Sequence, residues 1–89
     1  MRLRPPAGLV ARSAAGTVDL GTVANVLGEV AIAERAFLDG LTLEGEVRAV
    51  LLIENLGAWR DLPAPTGWLL VHVPGWDTAT VGHLLERVP

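Results

Sequence analysis

The sequence predicts an α/β domain in which strand, helix, strand and helix follow one another after a β-hairpin. Three observations predict it. Val47–Ile53 is an apolar run broken only by Arg48, and it stops abruptly on Glu54-Asn55. Trp68–Val73 is a second dense apolar stretch, closed by Pro74-Gly75. Each run is followed by helical spacing: Leu56, Ala58, Trp59 and Leu62 after the first, and Val81, Leu84, Leu85 and Val88 after the second. Alternation of this kind argues for a parallel strand pair covered by helices.

The Val47–Ile53 run is too short to cross a membrane and too rich in β-branched and aliphatic residues for a helix. Apolar on both faces, it reads as a strand of a covered sheet. Burial of each Val, Leu or Ile side chain is worth roughly 1.5–3 kcal/mol, so this strand is expected to be central. In open α/β sheets ligands bind beyond the carboxyl ends of the strands, which makes the position of Glu54 a candidate site. The competing reading is that Glu54 simply caps the next helix or marks the strand's emergence into solvent.

Taken in order, residues 1–17 carry Pro5, Pro6, Gly8 and Gly16 among Arg, Ala and Ser, and read as a poorly structured, exposed entry or linker. Residues 18–89 form the domain proper. Val18 to Gly28 fits a short helix, weakened by Gly21. Glu29–Glu34 alternates at period two, as a half-exposed strand does. Ala36-Phe37-Leu38 and Leu41-Thr42-Leu43 flank Asp39-Gly40, a hairpin signal because type I′ turns need positive φ. Asn55 can cap the helix after the first long strand, and Pro63 to Gly67 ends it. Asp77 or Thr78 caps the last helix.

Composition narrows the function classes. The chain has 89 residues, enough for one small domain with a modest core. Yet 51% of residues are hydrophobic and the mean hydropathy is +0.42, an excess that a partner or a larger parent protein would cover. Net charge is −3, and all seven basic residues are arginine, which excludes a strongly basic stand-alone nucleic-acid module. There is no cysteine, so neither disulfides nor thiolate zinc sites are available. No apolar run approaches the ~18–20 residues of a membrane span. Met1-Arg2-Leu3-Arg4 leads into Pro5-Pro6 instead of an apolar signal core, so a cytoplasmic location is expected.

Most familiar chemistries find no footing. No GxGxxG or GxxxxGK[ST] loop occurs, and the absence of lysine excludes a P-loop. Ser13, the one serine, lies in the proline–glycine entry without a nucleophile elbow. His72 reads as a buried, hydrogen-bonded strand residue and His83 as a solvent-facing helix residue. Trp59, Trp68 and Trp76 read as core packing, since a base-stacking platform wants basic neighbours and only Arg60 supplies one. Asp39, Asp61 and Asp77 fall where turn or cap chemistry accounts for them.

Glu54-Asn55 gains weight from its surroundings. Val50-Leu51-Leu52-Ile53-Glu54-Asn55-Leu56-Gly57-Ala58-Trp59, a proline-bounded loop, then Gly67-Trp68-Leu69-Leu70-Val71-His72-Val73-Pro74-Gly75, resembles the Toprim-like C-terminal domain of the Wadjet nuclease subunit (JetD) family. The hairpin region from Val30 to Leu43, with Ala33-Glu34-Arg35 and Phe37-Leu38-Asp39-Gly40, fits the lead-in. The resemblance spans residues 29–89, about two thirds of the chain. It implies a partial Toprim-like, Rossmann-like sheet and a site that uses Mg²⁺ or Mn²⁺ to cleave DNA. It also implies partnership with an SMC-like anti-plasmid defence complex. Glu54 would be the Toprim glutamate, as general acid/base or as a metal-coordinating group. The family's Asp-x-Asp pair has no counterpart here, so the chain is expected to be an N-terminal fragment, not competent for catalysis alone.

The alternative is a non-catalytic α/β module whose excess apolar surface docks on a protein partner. An independent small hydrolase fails for want of a nucleophile–base pair. In the fragment reading an incomplete sheet leaves an open edge, and the isolated chain is expected to self-associate or fold only marginally, whereas a cooperatively folded monomer would favour the module.

Overall fold

The amino terminus does not form a linker. In the computed structural model, which describes residues 1–76 and 78–89, the chain begins with strand β1 (Arg2–Arg4), followed by β2 (Val10–Ser13) and β3 (Gly16–Asp19). Helix α1 (Leu20–Leu27), β4 (Val30–Ala31), α2 (Glu34–Leu38) and β5 (Thr42–Glu44) come next. The carboxyl-terminal half runs β6 (Ala49–Ile53), α3 (Leu56–Asp61), β7 (Trp68–His72), a 3₁₀ turn (Pro74–Trp76) and α4 (Thr78–Arg87). The expected strand–helix–strand–helix order is therefore present, and the fold is mixed α/β with two sheets.

The first sheet has the order β4-β1-β7-β6. β6 and β7 are parallel, with Ile53 level with His72, whereas β1 is antiparallel to both β4 and β7. The second sheet is antiparallel, β3-β2-β5. Leu3, Leu9 and Ala11 of the supposed linker are all buried, and they join Leu43, Leu69, Val71, Phe37, Val81 and Leu84 in one core spanning both sheets. Alternating residues of β1 explain the outcome: Leu3 faces this core while Arg2 and Arg4 project to the other side.

Two further expectations are corrected. β6 is not central; it is the outermost strand of its sheet, half-buried along most of its length, and β7 is the covered strand. The amino-terminal β1 occupies the far side of β7, a long-range pairing that local hydropathy does not encode. Nor does Asp39-Gly40 turn a hairpin. It ends α2: the Leu41 amide donates to Ala36 O and the Gly40 amide to Phe37 O, the Schellman pattern, with Gly40 at φ 96°. Both motifs need positive φ, so the dipeptide alone does not choose between them.

The remaining helix ends match the sequence chemistry. Asp19 caps α1 by accepting from the Thr22 amide at 3.0 Å, and Asn55 caps α3 by accepting from Ala58 at 3.1 Å. Gly21 has a packing reason: a Cβ there would lie 2.6 Å from Pro6 O, so glycine lets α1 sit directly on the loop after β1. Of the stripe expected on α4, Val81 and Leu84 are buried, whereas Leu85 is exposed. The expected cap at Asp77 lies outside the described residues.

Candidate functional site

The carboxyl ends of the parallel pair are tied together through main chain. The Val73 amide donates to Ile53 O at 2.9 Å, and His72 Nε2 lies 3.2 Å from Glu54 O. A backbone carbonyl only accepts, so Nε2 is the donor in this contact. The other ring nitrogen, Nδ1, is buried and has no hydrogen-bond partner among the described residues. Beyond Ile53 the Glu54 side chain turns out to solvent, and among the described residues no ion pair or hydrogen bond engages its carboxylate. Asn55 is occupied in capping α3.

A polar network lies beside this strand end, on the face of the sheet covered by α3. Trp59 is almost completely buried and packs with Ile53 and Leu70 in a second, smaller core. Its ring centroid is 5.6 Å from that of His72, with the planes tilted by 42°. Its indole Nε1 donates to Glu29 Oε1 at 3.4 Å. The Arg2 guanidinium grips the same carboxylate with two donors, Nε on Oε2 and Nη2 on Oε1. That hydrogen bonding to Arg2 holds the Glu29 carboxyl below its ordinary pKa; partial burial opposes the effect, and the Trp59 N–H and nearby positive charge reinforce it. Arg4 lies 5.9 Å from the Trp59 ring centroid and donates to Trp59 O (3.0 Å) and Leu62 O, the carbonyls that close α3. A cation at a helix carboxyl terminus is favourable both for the dipole and for those carbonyls.

Arg2, Arg4, Glu29 and Trp59 thus engage one another as a bracket around the strand end. Arg2, Arg4 and Glu29 were not singled out in the sequence. The signal available was the Arg-Leu-Arg alternation at residues 2–4, the period-two signature of a half-buried strand.

At the end of β7 a cavity of about 220 Å³ is lined by Met1, Glu34, His72, Val73, Pro74, Thr80 and Val81. Within it Thr80 Oγ1 donates to Glu34 Oε2 at 3.1 Å. A wider, shallow cleft lies between Arg4 and Pro5 on one side and Asn25 of α1 and the following Gly28 on the other. His83, expected to face solvent, is half-buried, and its carbonyl accepts from Arg87 Nη1 at 2.8 Å.

No group of three or more His, Asp or Glu side chains capable of holding a metal ion occurs among the described residues. Mg²⁺ and Mn²⁺ favour several oxygen donors in near-octahedral array. Glu54 alone supplies one carboxylate, so the residues described do not amount to a divalent-cation site. Among the described residues no helix is long and apolar enough to cross a membrane.

No family model matches the chain, and neither the curated proteins nor the solved structures contain a match to it.

Proposed function

We propose that this chain is part of a Toprim-like, DNA-cleaving subunit of an SMC-like anti-plasmid defence complex, with Glu54 as the carboxylate it contributes. The observation that carries the reading is the placement of Glu54. It follows the last residue of a strand in a parallel pair, at the end where open α/β sheets bind ligands, and its carboxylate is exposed and uncommitted. The order of elements around it, β6–α3–β7–α4, is the order that the resemblance implies.

Phosphodiester cleavage of this kind needs further oxygen donors to hold a cation. The described residues lack them, and the exposed side of β6 is the place where a further strand could bring them beside Glu54. On this reading the 89-residue chain by itself binds Mg²⁺ no better than a surface carboxylate and does not cleave DNA.

The test is cleavage of circular DNA, with Mg²⁺ or Mn²⁺, by a protein that carries this chain together with a downstream acidic strand. Glu54→Gln is nearly isosteric and should abolish cleavage while leaving the melting temperature within about 2 °C, because exposed substitutions usually stay within ±0.5 kcal/mol. Normal cleavage by Glu54→Gln would remove Glu54 from the chemistry.

A further inference from the structure

β6 is the outermost strand of its sheet, and it is built unlike a protected edge. Among the described residues it pairs only with β7, and no other backbone hydrogen bond reaches its outer side. Natural edges are blunted by lysine, proline, bulges or inward charges. β6 reads Ala-Val-Leu-Leu-Ile without any of these, and Ala49 to Leu52 are all only half-buried.

Charge lies just beyond the apolar stretch, at equal distances from its centre. Arg48 precedes the strand and Glu54 follows it, three residues to either side of Leu51. The stem of Arg48 lies over Gly67, and among the described residues its guanidinium makes only a 4.0 Å contact with Glu46 while 68% of the side chain is exposed. Glu54 is exposed too, with no partner for its carboxylate among the described residues.

Two copies paired antiparallel about a twofold axis at Leu51 would set Leu51 against Leu51, Val50 against Leu52 and Ala49 against Ile53. In that register Arg48 of each copy falls opposite Glu54 of the other, at both ends of the ladder. Slipping the pairing so that Val50 sits on the axis would face Glu54 with Glu46, a like-charge pair. Slipping it the other way, to Leu52, leaves Glu54 opposite Val50 and Arg48 opposite Leu56. Only the Leu51-centred register matches both apolar residues and charges, and a twofold contact closes on itself without propagating into a fibre.

We propose that a second copy of this chain docks along β6 in that register, joining the two four-stranded sheets into one and placing Glu54 in an ion pair with the opposing Arg48. The inference stands independently of the nuclease reading. Pairing and the addition of an acidic strand would compete for the same side of β6, so the dimer is the form in which Glu54 is covered.

Sedimentation equilibrium of the 89-residue chain, at about 1–200 µM, reads the association directly, with circular dichroism to confirm that each variant folds. A monomer–dimer equilibrium with Kd on the order of 1–100 µM is expected, as small interfaces give. Arg48→Glu and Glu54→Arg each replace two attractive contacts with two repulsive ones and should weaken it roughly tenfold. The double swap Arg48→Glu with Glu54→Arg restores the pairing in reverse and should recover the wild-type Kd to within about threefold. Amide exchange at Ala49–Ile53 should slow as concentration rises. A wild-type monomer at 200 µM would overturn the proposal. So would a dimer whose Kd ignores both single changes, or a double swap no tighter than either single. DNA cleavage is not read in this experiment, so its failure leaves the role of Glu54 in cleavage standing.

Discussion

Arg87, on the last turn of α4, offers the clearest test of how the carboxyl-terminal helix is held. Its guanidinium donates to three main-chain carbonyls: Leu41 O and Phe37 O at 2.9 Å, and His83 O at 2.8 Å. It also lies 5.6 Å from the centroid of the Phe37 ring. Two of those carbonyls belong to the end of α2 and the residues just after it, so one side chain pins α4 to the α2–β5 junction. Hydrogen bonds to charged groups contribute about 1.5–3 kcal/mol each, but these three share one flexible side chain and are not additive. Phe37 O also accepts from the Gly40 amide and so keeps a partner when Arg87 is lost. Leu41 O is the carbonyl with most to lose. Together these arguments give a loss of about 2–3 kcal/mol for Arg87→Met, which keeps the apolar stem over Phe37 but removes the donors. Arg87→Ala should cost about 1 kcal/mol more, through lost packing and the cation–π contact. Arg87→Lys, a single ammonium without the planar fork, should recover less than half. For a domain of this size the Arg87→Met loss corresponds to a melting temperature lower by roughly 10–20 °C. Urea titrations followed by circular dichroism should show lower midpoints with unchanged m-values. An Arg87→Met midpoint within about 0.5 kcal/mol of wild type would refute the assignment of Arg87 as the tie between the helices.

The other predictions concern the bracket around the strand end. Because Arg2 holds the Glu29 carboxyl below its ordinary value, the pair's stabilisation is present above the usual carboxylate pKa and lost as pH falls through the lower folded value. The wild type should therefore lose melting temperature more steeply between roughly pH 5 and pH 2 than Glu29→Gln, and parallel slopes would refute this. Asn55→Ala removes the cap of α3 and should cost ~1 kcal/mol in a urea titration, whereas Asn55→Asp should be nearly neutral. His72→Leu gives up one hydrogen bond, worth roughly 0.5–1.5 kcal/mol, and removes a buried nitrogen that has no partner among the described residues, a group that costs about 1–3 kcal/mol when unsatisfied. The variant should melt at or slightly above the wild-type temperature, and a loss beyond about 2 kcal/mol would show that Nδ1 has a partner in solution.

The half of the chain that was legible from sequence is the half whose signals are local. Val50 to Ile53 and Trp68 to Val73 are long enough to be seen as strands, and Asn55 marks the start of α3 by its own chemistry. In the first half the short helix expected over Val18–Gly28 is present as α1, but residues 1–17 were misread because their elements are too short for periodicity to register. β1, β2 and β3 have three or four residues each, and Pro5, Pro6 and Gly8 lie between β1 and β2. Strand order was illegible for a different reason. Whether β6 or β7 lies inside the sheet depends on where residues 2–4 return, and nothing in either apolar run records that. The site followed the same division: Glu54 and its strand-end position could be read, but the Arg2–Glu29–Trp59–His72 bracket is assembled by the unforeseen β1.

That bracket bears on what Glu54 can do. The residue's own main chain is fixed on both sides: Ile53 O by the Val73 amide, Glu54 O by His72, and the following turn by the Asn55 cap. His72 in turn packs on Trp59, which is held by Glu29 through its indole nitrogen and by Arg4 at its carbonyl. A side chain that acts on an external partner needs this combination of a rigid anchor and a free terminus, because positioning is lost when the supporting groups are loose. The coupling is therefore directional. Loosening His72 should disturb any partner interaction made through Glu54, whether with DNA or with Arg48 of a second copy. Changing the Glu54 carboxylate should leave the His72–Trp59 packing untouched.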